Sequence, residues 1–129
     1  MKSTDIEREK VRGRIALKGF FNICREWNCS REQMRKMLGG ISESSLADYE
    51  KLPYEILSRD RMERISCILG IYRAIREMYP TAERANFRIR LETSEPPFSG
   101  CSALDFMVRG SMKHLIQTRQ FFEAKLYAP

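Results

Sequence analysis

Apolar residues along this chain recur every three to four positions and almost never alternate, so the pattern predicts helices. Leu17, Phe20, Phe21, Cys24 and Trp27 form the core face of a helix over 11–27, which Asn28 ends. Residues 2–10 alternate in charge and read as a mobile leader or as the frayed start of that helix. Ser30-Arg31-Glu32-Gln33 is a capping box, in which a hydroxyl and an amide satisfy two free backbone N–H groups. It opens a second helix with Met34, Met37 and Leu38 inward. Gly39-Gly40 ends it, since glycine takes the left-handed cap conformation at little cost. Ile41 is the apolar residue inside the turn, and Ser42 caps a third helix through Tyr49 with Leu46 and Tyr49 inward. A short helix, a glycine turn and a second capped helix within 30–49 is helix-turn-helix spacing.

Pro53 anchors the following loop, in which Leu52, Tyr54, Ile56 and Leu57 are expected half-buried. Ser58 then caps the longest element, a helix over 58–79 about 33 Å long. Its first third is apolar on one side, through Met62, Ile65 and Leu69. From Cys67 the apolar arc widens into two stripes, Ile68, Tyr72, Ile75 and Tyr79 beside Cys67, Ile71, Ala74 and Met78. A one-sided helix lies on a surface and a many-sided one is buried, so this helix starts at the edge of one packing unit and ends inside another. Gly70 near the changeover reads as close backbone packing or as a tolerated accident.

Pro80 breaks the pattern and Thr81 caps a helix to about Leu91, with Ala82, Ala85 and Ile89 on one side. Pro96-Pro97 makes 92–101 a loop, whose single large apolar residue, Phe98, is expected to plug the core. Ser102 with Asp105 caps a short helix through Val108, and Gly110 interrupts it. A last helix over 111–125 carries Met112, Leu115, Ile116 and Phe122 inward. Only 87–91 (FRIRL) resembles a strand, so the fold class is all-α with about seven helices, divided into an N-terminal unit over 11–57 and a C-terminal unit over 58–129.

The composition changes little: 43% hydrophobic and 31% charged residues are ordinary for a soluble domain. No apolar run approaches the roughly 18 residues of a membrane span, and the N-terminus has no secretory core, so a cytoplasmic protein is expected. Cys24, Cys29, Cys67 and Cys101 lack paired spacing, and His114 stands far from them. They read as core thiols of a reducing compartment, not as a metal or catalytic set. No phosphate loop, nucleophile elbow or ligand cluster is present, so neither an enzyme nor a cofactor is expected.

The charge distribution matters more. The net charge is +6. Residues 1–40 hold 10 basic and 5 acidic groups, residues 41–58 hold 1 and 4, and residues 59–91 hold 8 and 4. A basic surface interrupted by one acidic island fits either a nucleic acid or acidic partner, or a plain solvated surface.

The order of these motifs resembles the Xre/MbcA/ParS group of bacterial antitoxins, over about 15–125. WNCSREQMRKMLGGI (27–41) is similar to the family's first helix-turn-helix half, and SRDRMERISCILGIYRAI (58–75) to its long central helix. FSGCSAL (98–104) stands at the place of an F-G-G-x-S-P-L motif, and the terminal helix through Phe122 completes the likeness. The resemblance implies an Xre-like helix-turn-helix bundle fused through the central helix to a small toxin-binding domain. It implies a type II antitoxin that neutralises a RES-type, NAD-consuming toxin and represses its own operon, and that forms dimers. The alternative is a helix-turn-helix regulator whose C-terminal domain only dimerises.

Mapped onto this chain, operator contacts fall to Arg31, Arg35, Lys36, Ser42, Ser44 and Ser45. Toxin contacts fall to Phe98, Ser99, Gly100, Cys101 and Ser102, and to Phe122, Lys125 and Tyr127 in the tail. The chain departs from the family in three places. The presumed recognition helix over 42–49 has no Arg or Lys, and Glu43 and Asp48 oppose phosphate. Leu91 stands where many relatives have tryptophan, and Ala103 replaces the usual proline.

Overall fold

The computed structural model describes residues 2–128; Met1 and Pro129, the two ends of the chain, lie outside the described residues. Seven helices follow in order: α1 (Ser3–Glu26), α2 (Arg31–Met37), α3 (Glu43–Glu50), α4 (Arg59–Met78), α5 (Ala82–Arg90), α6 (Ala103–Met107) and α7 (Met112–Tyr127). The fold is all-α. Among the described residues the only β pairing is an isolated bridge between Glu92 and Ser102, and the FRIRL stretch lies mainly in α5.

Six of the seven helices start on a hydroxyl. Ser30, Ser42, Ser58, Thr81, Ser102 and Ser111 each accept a hydrogen bond from the backbone N–H three residues on, and Ser30 with Gln33 completes the capping box. Each such cap contributes on the order of 1 kcal/mol. The exception is α1, whose N-cap Lys2 makes no side-chain cap bond. It nevertheless starts eight residues before the expected Val11. Its first turns are held from outside the helix: the Tyr54 hydroxyl donates to Glu7, and Lys10 and Arg14 lie over the Tyr54 ring. Residues 3–10 are therefore helix rather than a leader.

The loop that carries Tyr54 runs close along α1. A Cβ placed on Gly13 would lie 2.9 Å from the Glu55 carbonyl oxygen. Tyr54 and Ile56, expected half-buried, are exposed, while Leu57 enters the core.

α4 packs chiefly against α7 and α1. Ile65, Ile68, Ile71 and Ile75 are fully buried, whereas Met62 and Leu69 are only partly so. One apolar cluster runs from Ala16 to Phe122, so residues on either side of position 58 share a single interior. Gly70 is a close approach: a Cβ there would meet the Arg119 guanidinium of α7 at 2.6 Å. Two expected core positions are corrected. Ile116 is 41% exposed, because the inward stripe of α7 is Leu115, Thr118 and Phe122, and Ile116 sits about 100° from it. Thr118 is buried without penalty, its hydroxyl donating to the His114 carbonyl at 2.8 Å. Ala82, in the first turn of α5, is exposed, and only Ala85 and Ile89 reach the core.

Candidate nucleic-acid interface and partner face

The turn between α2 and α3 is built by two left-handed glycines, Gly39 (φ 98°) and Gly40 (φ 80°). The Gly40 N–H donates to the Arg35 carbonyl at 2.8 Å, and Ile41 is buried beneath the turn. Ser42 caps α3 through the Ser45 N–H at 3.1 Å.

The six residues expected to face DNA are brought together here, but most are engaged within the chain. Arg31 is bonded to Glu43 and, at 2.8 Å, to Glu50, so α2 and α3 are joined by an ion triad. Those bonds raise the guanidinium's affinity for its proton further. Arg35 Nε donates to the Ile41 carbonyl at 2.8 Å and holds the turn. The Ser42 hydroxyl bonds to those of both Ser44 and Ser45. Lys36 is exposed and pairs only with Glu32 at 3.2 Å. The outward surface of α3 presents Glu43, Asp48 and Glu50, and no cation precedes Lys51.

Besides the buried Arg64, two cations beside the turn escaped the pattern reading. The Arg61 guanidinium would lie 3.3 Å from a Cβ on Gly39. Arg109 joins Lys36, Gly39 and Gly40 around an open cavity of about 530 Å³, with Asp105 as its acidic member. The signal for Arg61 was available in the SRDR start of the central helix; Arg109 comes to the turn only through the tertiary fold.

At the other end, the loop over 92–101 closes on itself. Gly100 N–H donates to Thr93 O at 2.7 Å, and Phe98 N–H donates to Glu95 O at 2.9 Å. Ser99 (φ 49°) and Gly100 (φ 105°) are both left-handed, which turns the Phe98 side chain inward. Phe98 is 1% exposed and meets Phe106 edge-on at 5.4 Å and Phe121 at 4.8 Å. Arg88 of α5 stacks on Phe121 and Phe122.

This divides the residues expected to meet a partner. Phe98, Phe122 and Ser102 are interior, and Ser102 caps α6, so they shape the face without touching what lies on it. Ser99, Gly100, Lys125 and Tyr127 are exposed and Cys101 is half-exposed. Lys125 Nζ meets Glu95 at 2.9 Å and ties the end of α7 to the loop. Ala103 occupies the first position of α6, where proline is readily accommodated, so the departure from the F-G-G-x-S-P-L pattern keeps the helix start. Phe87, 70% exposed, lies on α5 away from the Ala85 and Ile89 stripe, and Leu91, 42% exposed, is the extended residue that caps the helix end.

Residues 7–70 match the family model of the antitoxin Xre-like helix-turn-helix domain. This part of the chain is an antitoxin Xre-like helix-turn-helix domain. The chain is 34% identical over 109 residues to the uncharacterized protein y4oB of Sinorhizobium fredii (strain NBRC 101917 / NGR234), a match that spans 84% of this chain and 82% of that protein. No solved structure matches it. The Xre-like match covers nearly all of α1, then α2, α3 and the first half of α4, and ends at the glycine under Arg119. In DNA-binding helix-turn-helix units the second helix of the motif enters the major groove, and α3 holds that position in the chain order here. Among the described residues no helix is long and apolar enough to cross a membrane.

Proposed function

We propose that the protein is the antitoxin of a type II toxin–antitoxin pair, that it neutralises a RES-type NAD-consuming toxin through its C-terminal half, and that it represses its operon as a homodimer. The observation that carries the reading is the joining of an Xre-like unit to a second face. On that face an exposed loop tip and the end of α7 are held together by the Lys125–Glu95 pair. The toxin contacts are assigned to Ser99, Gly100, Cys101, Lys125 and Tyr127. Co-expression with the neighbouring gene product, followed by pull-down and an NAD-consumption assay, tests it. If DNA is bound while no neighbour co-purifies, the regulator reading replaces this one.

Tyr127→Ala, and deletion of 125–129, are expected to weaken toxin inhibition by roughly tenfold or more, as loss of an exposed aromatic anchor does. Tyr127 is 77% exposed, so Tyr127→Ala should leave the thermal midpoint in place. An inhibition curve superimposable on that of the unaltered protein removes the tail from the interface.

Operator contact is assigned to the turn and its cations, Lys36, Arg61 and Arg109, with Ser44 at the start of α3. The acidic face of α3 limits affinity, because phosphate neutralisation supplies most of it. The double variant Glu43→Gln, Glu50→Gln releases Arg31 and removes two repelling charges. It is expected to bind duplex DNA about tenfold more tightly at low salt, and its log–log salt dependence should steepen by about one unit. Fluorescence anisotropy at several salt concentrations measures both. Equal affinity and slope would show that α2 and α3 do not face phosphate.

A further inference from the structure

We infer that Cys24 and Cys29 form a reversible thiol-modification site, which low-molecular-weight disulfides such as glutathione disulfide oxidise to an internal disulfide. The geometry follows from how α1 ends. Asn28 is left-handed (φ 55°), the Cys29 N–H donates to the Cys24 carbonyl at 2.9 Å, and the Asn28 N–H donates to the Arg25 carbonyl at 3.2 Å. That is a Schellman cap, and such caps bring the third residue from the helix end against the second residue beyond it. In most helices this is a contact of two apolar side chains. Here both side chains are free thiols.

Both cysteines line an open cavity of about 470 Å³ between α1, α2 and α3, with Lys18, Asn22, Met34 and Glu50 among its walls. Cys29 is half-exposed there, while Cys24 is buried behind it. The roles divide accordingly. The neighbouring Cys24 thiol holds the Cys29 thiol below its usual range against the opposing effect of burial, and the charge of Arg90 acts in the same direction. Arg90 is fixed in place because its guanidinium donates to the Trp27 and Asn28 carbonyls. Cys24 is pushed up, first by the neighbouring Cys29 and then by burial. The more exposed sulfur with the lower pKa is the one that attacks.

The steps balance. The Cys29 thiolate attacks one sulfur of glutathione disulfide, forms a mixed disulfide and expels glutathione thiolate, which takes a proton from solvent. That removes the Cys29 charge from Cys24, so Cys24 loses its proton more readily. Cys24 then attacks the Cys29 sulfur and expels the second glutathione. The protein is oxidised by two electrons and glutathione disulfide is reduced to two thiols. A cytosolic disulfide of this kind is a transient, redox-responsive one.

The test is intact-mass spectrometry with peptide mapping of the full chain incubated with glutathione disulfide at pH 7.5. Cys101, half-exposed in the loop with Arg109 3.6 Å from its sulfur, serves as the internal reactivity control. The expected product is a peptide pair linked through Cys24 and Cys29, lighter by two hydrogens and restored by dithiothreitol. Cys24→Ser should instead retain one glutathionyl group on Cys29, and Cys29→Ser should leave Cys24 unmodified. If Cys101 is modified while Cys24 and Cys29 stay reduced in the unaltered protein, the inference is overturned, whatever the variants do.

Discussion

Phe98→Ala is expected to destabilise the protein by about 4 kcal/mol, within the range for deleting a fully buried phenylalanine. At this chain length that lowers the thermal midpoint by roughly 12 °C. The ring is 1% exposed and sits among Phe106, Phe121 and Phe122, so it touches both α6 and α7 from a loop otherwise held by its own backbone bonds and by exposed contacts such as the Lys125–Glu95 pair. Arg88 stacks on the outer side of the same cluster and brings in α5. Truncation removes three aromatic contacts at once and leaves a cavity that a short loop cannot fill. Phe98→Leu, which keeps most of the volume, should cost less than half as much. Urea denaturation measures both. A loss under about 1 kcal/mol for Phe98→Ala would mean that the ring belongs to the surface after all. The distinction decides how a Phe98 variant is to be read in a pull-down against the proposed toxin, because a misfolded face and a missing contact look alike there.

Phe98 also shows what the chain discloses before folding. It is the one large apolar residue in a polar, proline-containing loop, and that isolation marks a plug. The central helix was legible for a similar reason. Its cap Ser58, its widening apolar arc and the breaker Pro80 are local signals, and the helix observed is Arg59–Met78 with Ser58 and Tyr79 as its caps. What local pattern could not disclose are the pairings between elements. Tyr54 reaches Glu7 across 47 positions and extends α1 backwards. Arg31 counts as a free cation in any charge tally, yet it lies between two carboxylates of α3. The division of the partner face into interior and exposed residues depends on which way the loop turns at Ser99 and Gly100, and Gly100 alone hinted at it. Cys24 and Cys29 have no motif spacing, and only the left-handed Asn28, with the bond from the Cys29 N–H to the Cys24 carbonyl, brings the two residues together.

Arg64→Ala is expected to cost about 3 kcal/mol, although nothing in the pattern of apolar positions marks Arg64 as interior. The residue is 8% exposed. Its Nη1 donates to the Gly110 carbonyl at 2.8 Å and approaches the Met37 carbonyl at 3.4 Å, while its Nε donates to Asp60 at 2.9 Å. One guanidinium therefore closes the C-terminal end of α2 and the turn that leads into α7. Those carbonyls have left regular helix pairing, and each loses about 1–3 kcal/mol if its donor goes and no water replaces it. The Asp60 carboxylate is half-exposed, so the ion pair itself adds little. Arg64→Lys should recover only part of the loss, because an ammonium cannot reach both carbonyls and the carboxylate in the forked geometry. Arg64→Met keeps the apolar stem and isolates the polar contribution. Urea midpoints give the magnitudes, and hydrogen exchange locates them: the Gly40 and Ile41 amides should lose protection together with those around Gly110. A midpoint equal to that of the unaltered protein, or loss of protection at only one of the two turns, would show that Arg64 does not join them. Joint loss would establish that the turn between α2 and α3 and the start of α7 rest on one side chain, so that a displacement of α7 is felt at that turn.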